Sequence, residues 1–244
     1  MQACDDTRDA LSTARVLLVG LGGLGSPAAL ALAEAGVGTL GLVDPDRVEL
    51  SNLPRQLLYD ERDVGRRKID AARARLARAH PGLRVETRAA RFAASSAAWL
   101  SGFDVVLDGT DSAAAKLALN DAAVATGVPL VHAGASGFCA QLLTVLPGRS
   151  ACLRCLFEDG SAADDEPACT AAGILGPVVA LAGGLAAAEA LRVLAGASPL
   201  FADRLLTIDA RAGTWRSVSL ARHPACAACG GTPAHTAAPR SAAR

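Results

Sequence analysis

Four glycines stand in the register G-x-G-x-x-G at Gly20, Gly22, Gly23 and Gly25. Such a turn lets backbone amides approach phosphate oxygens at a helix N-terminus, where the helix dipole favours anions. Roughly 20 residues further on, where a dinucleotide fold keeps its ribose-binding acid, Asp44 ends an apolar run. Arg55 and Lys68 follow in a polar stretch. They supply cations that a triphosphate needs, or else belong to a solvated polar face. Asp108 and Asp111 lie in DGTDS, at the end of another apolar run. Carboxylates there point into the ligand crevice, and one could hold Mg²⁺ beside phosphates. The alternative is that Asp111 caps the following helix.

Two C-x-x-C pairs, Cys152 with Cys155 and Cys226 with Cys229, give four thiolates, the donor set of a tetrahedral structural zinc site. The gap between the pairs is much longer than in a compact finger, so the metal would pin the loop after the first half to the C-terminal strands. Neither pair opens a helix after a strand, which argues against a redox motif. Cys169 stands alone in EPACTAAG, within an acidic loop, as a nucleophile or an inert thiol.

These residues need a scaffold. Val16–Val19 reads as a strand buried on both faces, the glycines as a turn, and Ala28–Ala35 as a helix that Ser26 could cap, with Pro27 in its first turn. Leu40–Val43 is the second strand. A polar loop over 45–63 precedes a helix over Arg66–Ala79, a strand over Leu83–Thr87 and a short helix over Ala94–Leu100. A strand over Asp104–Leu107, a helix over Ala113–Ala125 and a strand over Val128–His132 complete an alternating pattern, which implies a mostly parallel sheet with ligands at the carboxyl ends of its strands. After it come a strand over Gln141–Leu146, a cysteine-bearing loop, an apolar helix over Pro177–Leu194, and two closing strands over Arg204–Ile208 and Trp215–Leu220, expected to be antiparallel. The fold class is thus α/β, Rossmann-like, with helices on both faces, antiparallel C-terminal strands and a zinc-pinned loop. Residues 1–231 read as a single domain, with a nucleotide-binding half over about 14–135 and a second half over about 136–231. The Ala-, Pro- and Arg-rich segment 232–244 reads as a disordered tail.

The chain has 244 residues, and its 24 basic and 24 acidic side chains cancel. Zero net charge argues against nucleic-acid or polybasic membrane binding. Nearly all the basic residues are arginine; Lys68 and Lys116 are the lysines. No signal peptide is visible, and seven cysteines without one suggest a cytosolic protein that uses thiols for metal or chemistry. The apolar run from Ile174 to Ala188, broken by Pro177, Gly183 and Gly184, reads as too short for a comfortable membrane span and better as a buried or subunit-facing helix.

Taken together, GLGGLGSP (20–27), VDPDRVELSNLPRQ (43–56), VGRRK (64–68), LDGTDS (107–112), CLRC (152–155), CTAAG (169–173) and CAACGG (226–231) resemble the adenylating enzymes of the ThiF/MoeB/HesA family, bacterial relatives of the ubiquitin-activating enzymes. The resemblance runs from about Ala14 to Gly231. The run GASGFCAQLLTVLP, the CLRCLF knuckle and GILGPVVA bring it nearest to the thiamin-pathway branch. It implies ATP contacts from Gly20, Gly22, Gly23, Leu24 and Gly25, with Asp44 on the ribose and Asp46, Ser51 and Ser112 nearby. It implies phosphate contacts from Asn52, Arg55 and Lys68, Mg²⁺ on Asp111 and zinc on the cysteine tetrad. Cys169 matches the cysteine that can bond covalently to the partner during sulfur transfer. The implied reaction is ATP-dependent adenylation of a ubiquitin-like sulfur carrier ending in Gly-Gly, for thiamin, molybdopterin or related biosynthesis. The sulfur would come from a separate donor, a desulfurase or a rhodanese, and the enzyme would be a cytoplasmic homodimer.

Three departures qualify that expectation. Pro54 stands where the family usually has glutamine, and should stiffen the loop. Ser112 stands where asparagine is usual, which weakens one nucleotide contact. The family also opens with an R-Y-x-R-Q helix whose arginine reaches the other subunit's ATP; here MQACDDTRDALSTA offers only Arg8. Either the start lies further upstream or adenylation proceeds with one cation fewer. Two other readings are an NAD-dependent oxidoreductase, which leaves Arg55, Lys68 and the four cysteines unexplained, and a non-catalytic module that only binds the carrier.

Overall fold

The computed structural model describes residues 9–157 and 173–231. Arg8, Cys169 and the 232–244 tail lie outside them.

Eight strands form one sheet: β1 Arg15–Val19, β2 Thr39–Val43, β3 Arg84–Arg88, β4 Val105–Asp108, β5 Leu130–Ser136, β6 Cys139–Val145, β7 Arg204–Asp209 and β8 Thr214–Ser219. Their spatial order is β3-β2-β1-β4-β5-β6-β7-β8. The first five are mutually parallel; β6, β7 and β8 are antiparallel additions. The longer helices are α1 Gly25–Glu34, α2 Lys68–Ala79, α3 Ala113–Thr126 and α4 Gly176–Leu194. A single helical turn, Leu153–Leu156, begins directly after Cys152, so the first cysteine pair does open a short helix after a strand, contrary to the sequence reading. Chain order reverses between β1 and β4, and the crevice beyond their carboxyl ends is the topological switch point where ligands bind in open sheets. β1, β2 and β4 are almost wholly apolar because helices and loops cover both faces of the sheet. One core cluster holds Leu18, Leu32, Leu40, Leu58 and Leu76 with Val179 and Ala186 of α4. The other holds Leu17, Val106, Leu119, Leu143 and Val145 with Cys152, Cys226 and Cys229.

Several boundaries differ from the sequence reading, each for a visible reason. α2 starts at Lys68, not Arg66, because Arg67 bridges Arg47 and the Arg66 carbonyl accepts from the Val48 amide. β5 runs on to Ser136 because it turns tightly into β6, Ser136 facing Cys139. Ser26 does not cap α1: the helix begins at Gly25, and the Ser26 hydroxyl donates to the Leu21 carbonyl at 3.1 Å. Asp111 does not cap α3 either. Ser112 does, its Oγ accepting from the Ala115 amide at 3.1 Å. Ser112→Ala should therefore lower stability by about 1 kcal/mol, the usual cost of losing a cap, measured by urea unfolding; an unchanged midpoint would contradict the assignment.

α4 is 19 residues long and apolar enough, by length and composition alone, to cross a membrane. The apolar helix expected over Pro177–Leu194 is present, with Pro177 in its first turn. Its inner face packs on α1 and across β4, β5 and β6. Glu189, on that face, is buried and accepts from the Thr144 hydroxyl and the Leu200 and Phe201 amides.

Candidate active site and cysteine cluster

A cleft of about 1350 Å³ opens at the switch point. Its floor is the glycine turn between β1 and α1. Glycine is required there by close approach: a Cβ on Gly25 would sit 1.9 Å from the Gly20 carbonyl oxygen. The turn is held from three sides. The Leu21 amide donates to Asp44 Oδ2 at 2.7 Å, and the Leu21 carbonyl accepts from Ser26 Oγ and from the Tyr59 hydroxyl, each at 3.1 Å.

Asp44 directly follows β2, is buried, and also accepts from the Asp46 amide at 2.8 Å. Burial pushes its carboxyl up, against the Lys68 charge and the two amides that pull it down. Lys68, the first residue of α2, is buried too; its Nζ lies 2.9 Å from Asp46 Oδ2 and 4.0 Å from Asp44 Oδ1. Arg55 follows a short 3-10 turn, Leu50–Asn52, and its Nη1 donates to the Ser51 carbonyl at 2.8 Å. Asn52, buried, accepts from the Glu49 amide at 3.3 Å.

Of the residues singled out in the sequence, Gly20, Gly22, Gly23, Leu24, Asp44, Asp46, Asn52, Arg55, Lys68, Asp111 and Ser112 all line this cleft. Gly25 and Ser51 are not among the lining residues. Gly25 lies buried under the turn, and the Ser51 side chain turns to Glu49, Oγ to Oε2 at 3.3 Å. Asp111 is exposed, and no hydrogen bond engages its carboxylate among the described residues. A free carboxylate beside a phosphate-type turn fits Mg²⁺, which binds through one or two carboxylates plus substrate phosphates.

Among the polar lining residues to which sequence reasoning assigned no role are Gln56, Lys116 and His132. Lys116 and His132 converge on Asp108, at 3.2 and 2.7 Å. Burial raises the Asp108 carboxyl, but Lys116 and His132 outweigh it and hold the group well below the usual carboxylate range. His132 is pushed down, by burial first and by Lys116 second. The signal was present: a histidine inside the apolar run VPLVHAG, and a lysine in a chain that otherwise uses arginine.

The cleft continues past Gly134, Ser136 and Cys139 to Thr207, Asp209 and Arg216 of the antiparallel strands. The nucleotide-type crevice is therefore one end of a channel whose other end lies on the second half of the chain.

The four cysteines Cys152, Cys155, Cys226 and Cys229 meet elsewhere, their Sγ atoms all within 4.8 Å of one another. Measured pairs are 4.0 Å (152–155), 3.7 Å (152–226) and 3.4 Å (155–229). Tetrahedral zinc, with bonds near 2.3 Å, needs sulfur–sulfur edges of about 3.8 Å. The donor set fits such an ion, and the cluster can hold a metal.

Residues 1–228 match the ThiF family. The chain is 41% identical over 229 residues to the sulfur carrier protein ThiS adenylyltransferase of Escherichia coli K12, covering 93% of this chain and 90% of that one. It is 39% identical over 238 residues to a sulfur carrier protein adenylyltransferase of Thermus thermophilus, covering 95% and 88%. Against the adenylyltransferase and sulfurtransferase MOCS3 of Sus scrofa it is 42% identical over 228 residues, and spans 50% of that protein's length. Among solved structures, E. coli MccB with ATP superposes with a TM-score of 0.81 at 25% identity, over 92% of this chain and 69% of that one.

Proposed function

The chain belongs to the ThiF family, and from that premise we propose that it adenylates the C-terminal glycine of a ubiquitin-like sulfur carrier, using ATP and releasing pyrophosphate. The observation that carries the reading is the convergence of Asp44, Arg55, Lys68 and Asp111 on one cleft at the glycine turn, continuous with a channel to the antiparallel strands. ATP takes the nucleotide end, its ribose on Asp44 and its phosphates over the glycine amides, Asn52, Arg55 and Lys68. The carrier tail takes the other end, entering past Cys139 and Thr207. A terminal carboxylate oxygen attacks the α-phosphorus, the bond to the bridging oxygen breaks, and pyrophosphate leaves with that electron pair. An acyl-adenylate remains.

Positioning and charge neutralisation account for the chemistry. Lys68 shows how: buried beside Asp44 and Asp46, it is held in place before any ligand arrives. Asp111 would hold Mg²⁺, which when bound neutralises phosphate charge. The cysteine tetrad would hold zinc and fix the second half of the chain. Sulfur transfer follows with a separate donor. Leu175 and Leu181, half-exposed at and on α4, favour a homodimer through this helix.

The test is exchange of labelled pyrophosphate into ATP with the purified protein and a Gly-Gly carrier. Carrier-dependent exchange, with an AMP adduct seen by intact mass, is the expected result. Carrier binding without either would leave a binding module instead, and would sink the proposal.

A further inference from the structure

The two aspartates of the DGTDS turn have different fates. Asp108 is 2% exposed, and each of its oxygens accepts twice. Oδ1 takes the Thr110 amide at 2.9 Å and the Thr110 hydroxyl at 2.7 Å. Oδ2 takes Lys116 Nζ at 3.2 Å and His132 Nδ1 at 2.7 Å. Two carboxylate oxygens offer about four acceptor sites, so the group is saturated by protein and has nothing left for a metal. Asp111, three residues on, is exposed and uncommitted among the described residues.

The donors come from separate elements. Lys116 lies in the first turns of α3 and His132 in β5. Lys116 Nζ also donates to the Ala133 carbonyl at 2.9 Å, tying α3 to β5 directly. With Asp108 ionised, His132 must carry its proton on Nδ1. Its Nε2 is buried and finds no partner among the described residues, so a second proton there would be unsatisfied and would face the Lys116 charge. The Gly109–Asp111 turn is thereby gripped at its base. It also abuts the glycine turn: the Gly109 amide donates to the Val19 carbonyl at 2.8 Å, and a Cβ on Gly20 would lie 2.5 Å from the Gly109 oxygen.

We propose that Asp108, Lys116 and His132 are a positioning unit: Asp108 anchors the Gly109–Asp111 turn and is not itself a metal ligand, so that Asp111 alone presents its carboxylate to the cleft. Asp108 acts through Asp111 and through the seat of the turn against Gly20. The proposal rests on the adenylation reading for its rate effects, and on geometry alone for the order of the turn.

The test uses Asp108→Asn, which keeps the size of the side chain and removes its charge and two of its acceptor sites. In the ATP-free protein, exchange of the Thr110 amide, read by NMR, should accelerate by about tenfold or more as that hydrogen bond opens, while the Val16–Val19 amides stay protected. Unchanged protection of Thr110 would overturn the anchor. In the exchange assay, Asp108→Asn should lower kcat by about 10²-fold, the scale for a reacting group misplaced by roughly 1 Å, with the KM for ATP within about threefold of wild type. In an Asp111→Ala background the same change should add less than about twofold, because residues acting as one unit are not additive. Full additivity would show that Asp108 acts independently of Asp111, and would overturn the proposal. Should Asp108→Asn fail to fold, Lys116→Met removes the cation and leaves the Thr110 bonds; it should show the same epistasis with Asp111→Ala. A wild-type protein with no exchange refutes the adenylation reading, while the Thr110 amide still decides this one.

Discussion

Lys68→Ala should lower carrier-dependent pyrophosphate exchange by about 10²-fold or more, the scale for removing one charge partner of a transition state, with carrier affinity nearly intact. The geometry makes a finer statement possible. Lys68 has two acidic neighbours of unequal weight. Asp46 is 55% exposed at its side chain, so that pair contributes little to stability. Asp44 is 5% exposed and is already pushed towards protonation by burial. Without the lysine, Asp44 keeps two amide donors but loses its cation, and a buried group left short of a partner costs about 1–3 kcal/mol. Lys68→Ala should thus be both slow and less stable. Asp111→Ala should match it in rate loss and leave stability untouched, because nothing among the described residues leans on that exposed carboxylate. Exchange kinetics, carrier titration and thermal unfolding on the two variants check this. Parallel loss of carrier binding and rate in both would mean that they act on the fold, and equal destabilisation would contradict the burial argument.

How far this was legible in the sequence differs from residue to residue. The parallel half was readable because buried strands are written as apolar runs and the glycine turn has one backbone solution. The glycine register and the acid at 44 therefore led straight to the cleft floor. What escaped was tertiary. Neither Ser26 nor Asp111 makes the cap its local sequence suggests, because Ser26 is drawn to the Leu21 carbonyl and Ser112 stands one residue closer to α3. Asp108, Lys116 and His132 come from three elements, and no periodicity links positions 108, 116 and 132. The oddity of each residue in its own segment was visible; their meeting was not. The two cysteine pairs are the opposite case. They lie 74 residues apart from Cys152 to Cys226, yet ligand chemistry demanded that they meet, and they do.

That meeting supports the last expectation: zinc in the tetrad is structural, and its removal should lower stability by several kcal/mol, since metal binding at such sites is folding free energy. Cys152, Cys226 and Cys229 are not appended to the fold but belong to its second core, among Leu119, Leu143, Val145 and Leu153. The Cys152–Cys155 knuckle is tied to α3, where the Leu153 amide donates to Asn120 Oδ1 at 2.9 Å and Arg154 pairs with Asp121 at 2.7 Å. The Cys226–Cys229 knuckle is tied to the first by the His223 amide, which reaches Cys155 Sγ at 3.4 Å, while Arg222 reaches the carbonyls of Gly148 and Cys229. Losing the ion should therefore loosen both knuckles and open the core they belong to, while the first core, built without any cysteine of the tetrad, stays formed. Cys226→Ser should reproduce the effect of chelation, and a chelator should do nothing more to that variant. Elemental analysis of the pure protein should find one zinc per chain, with a lower melting temperature after chelation. A protein that is purified without zinc and melts at the same temperature with or without chelator would show that the four thiols are packing groups and not ligands.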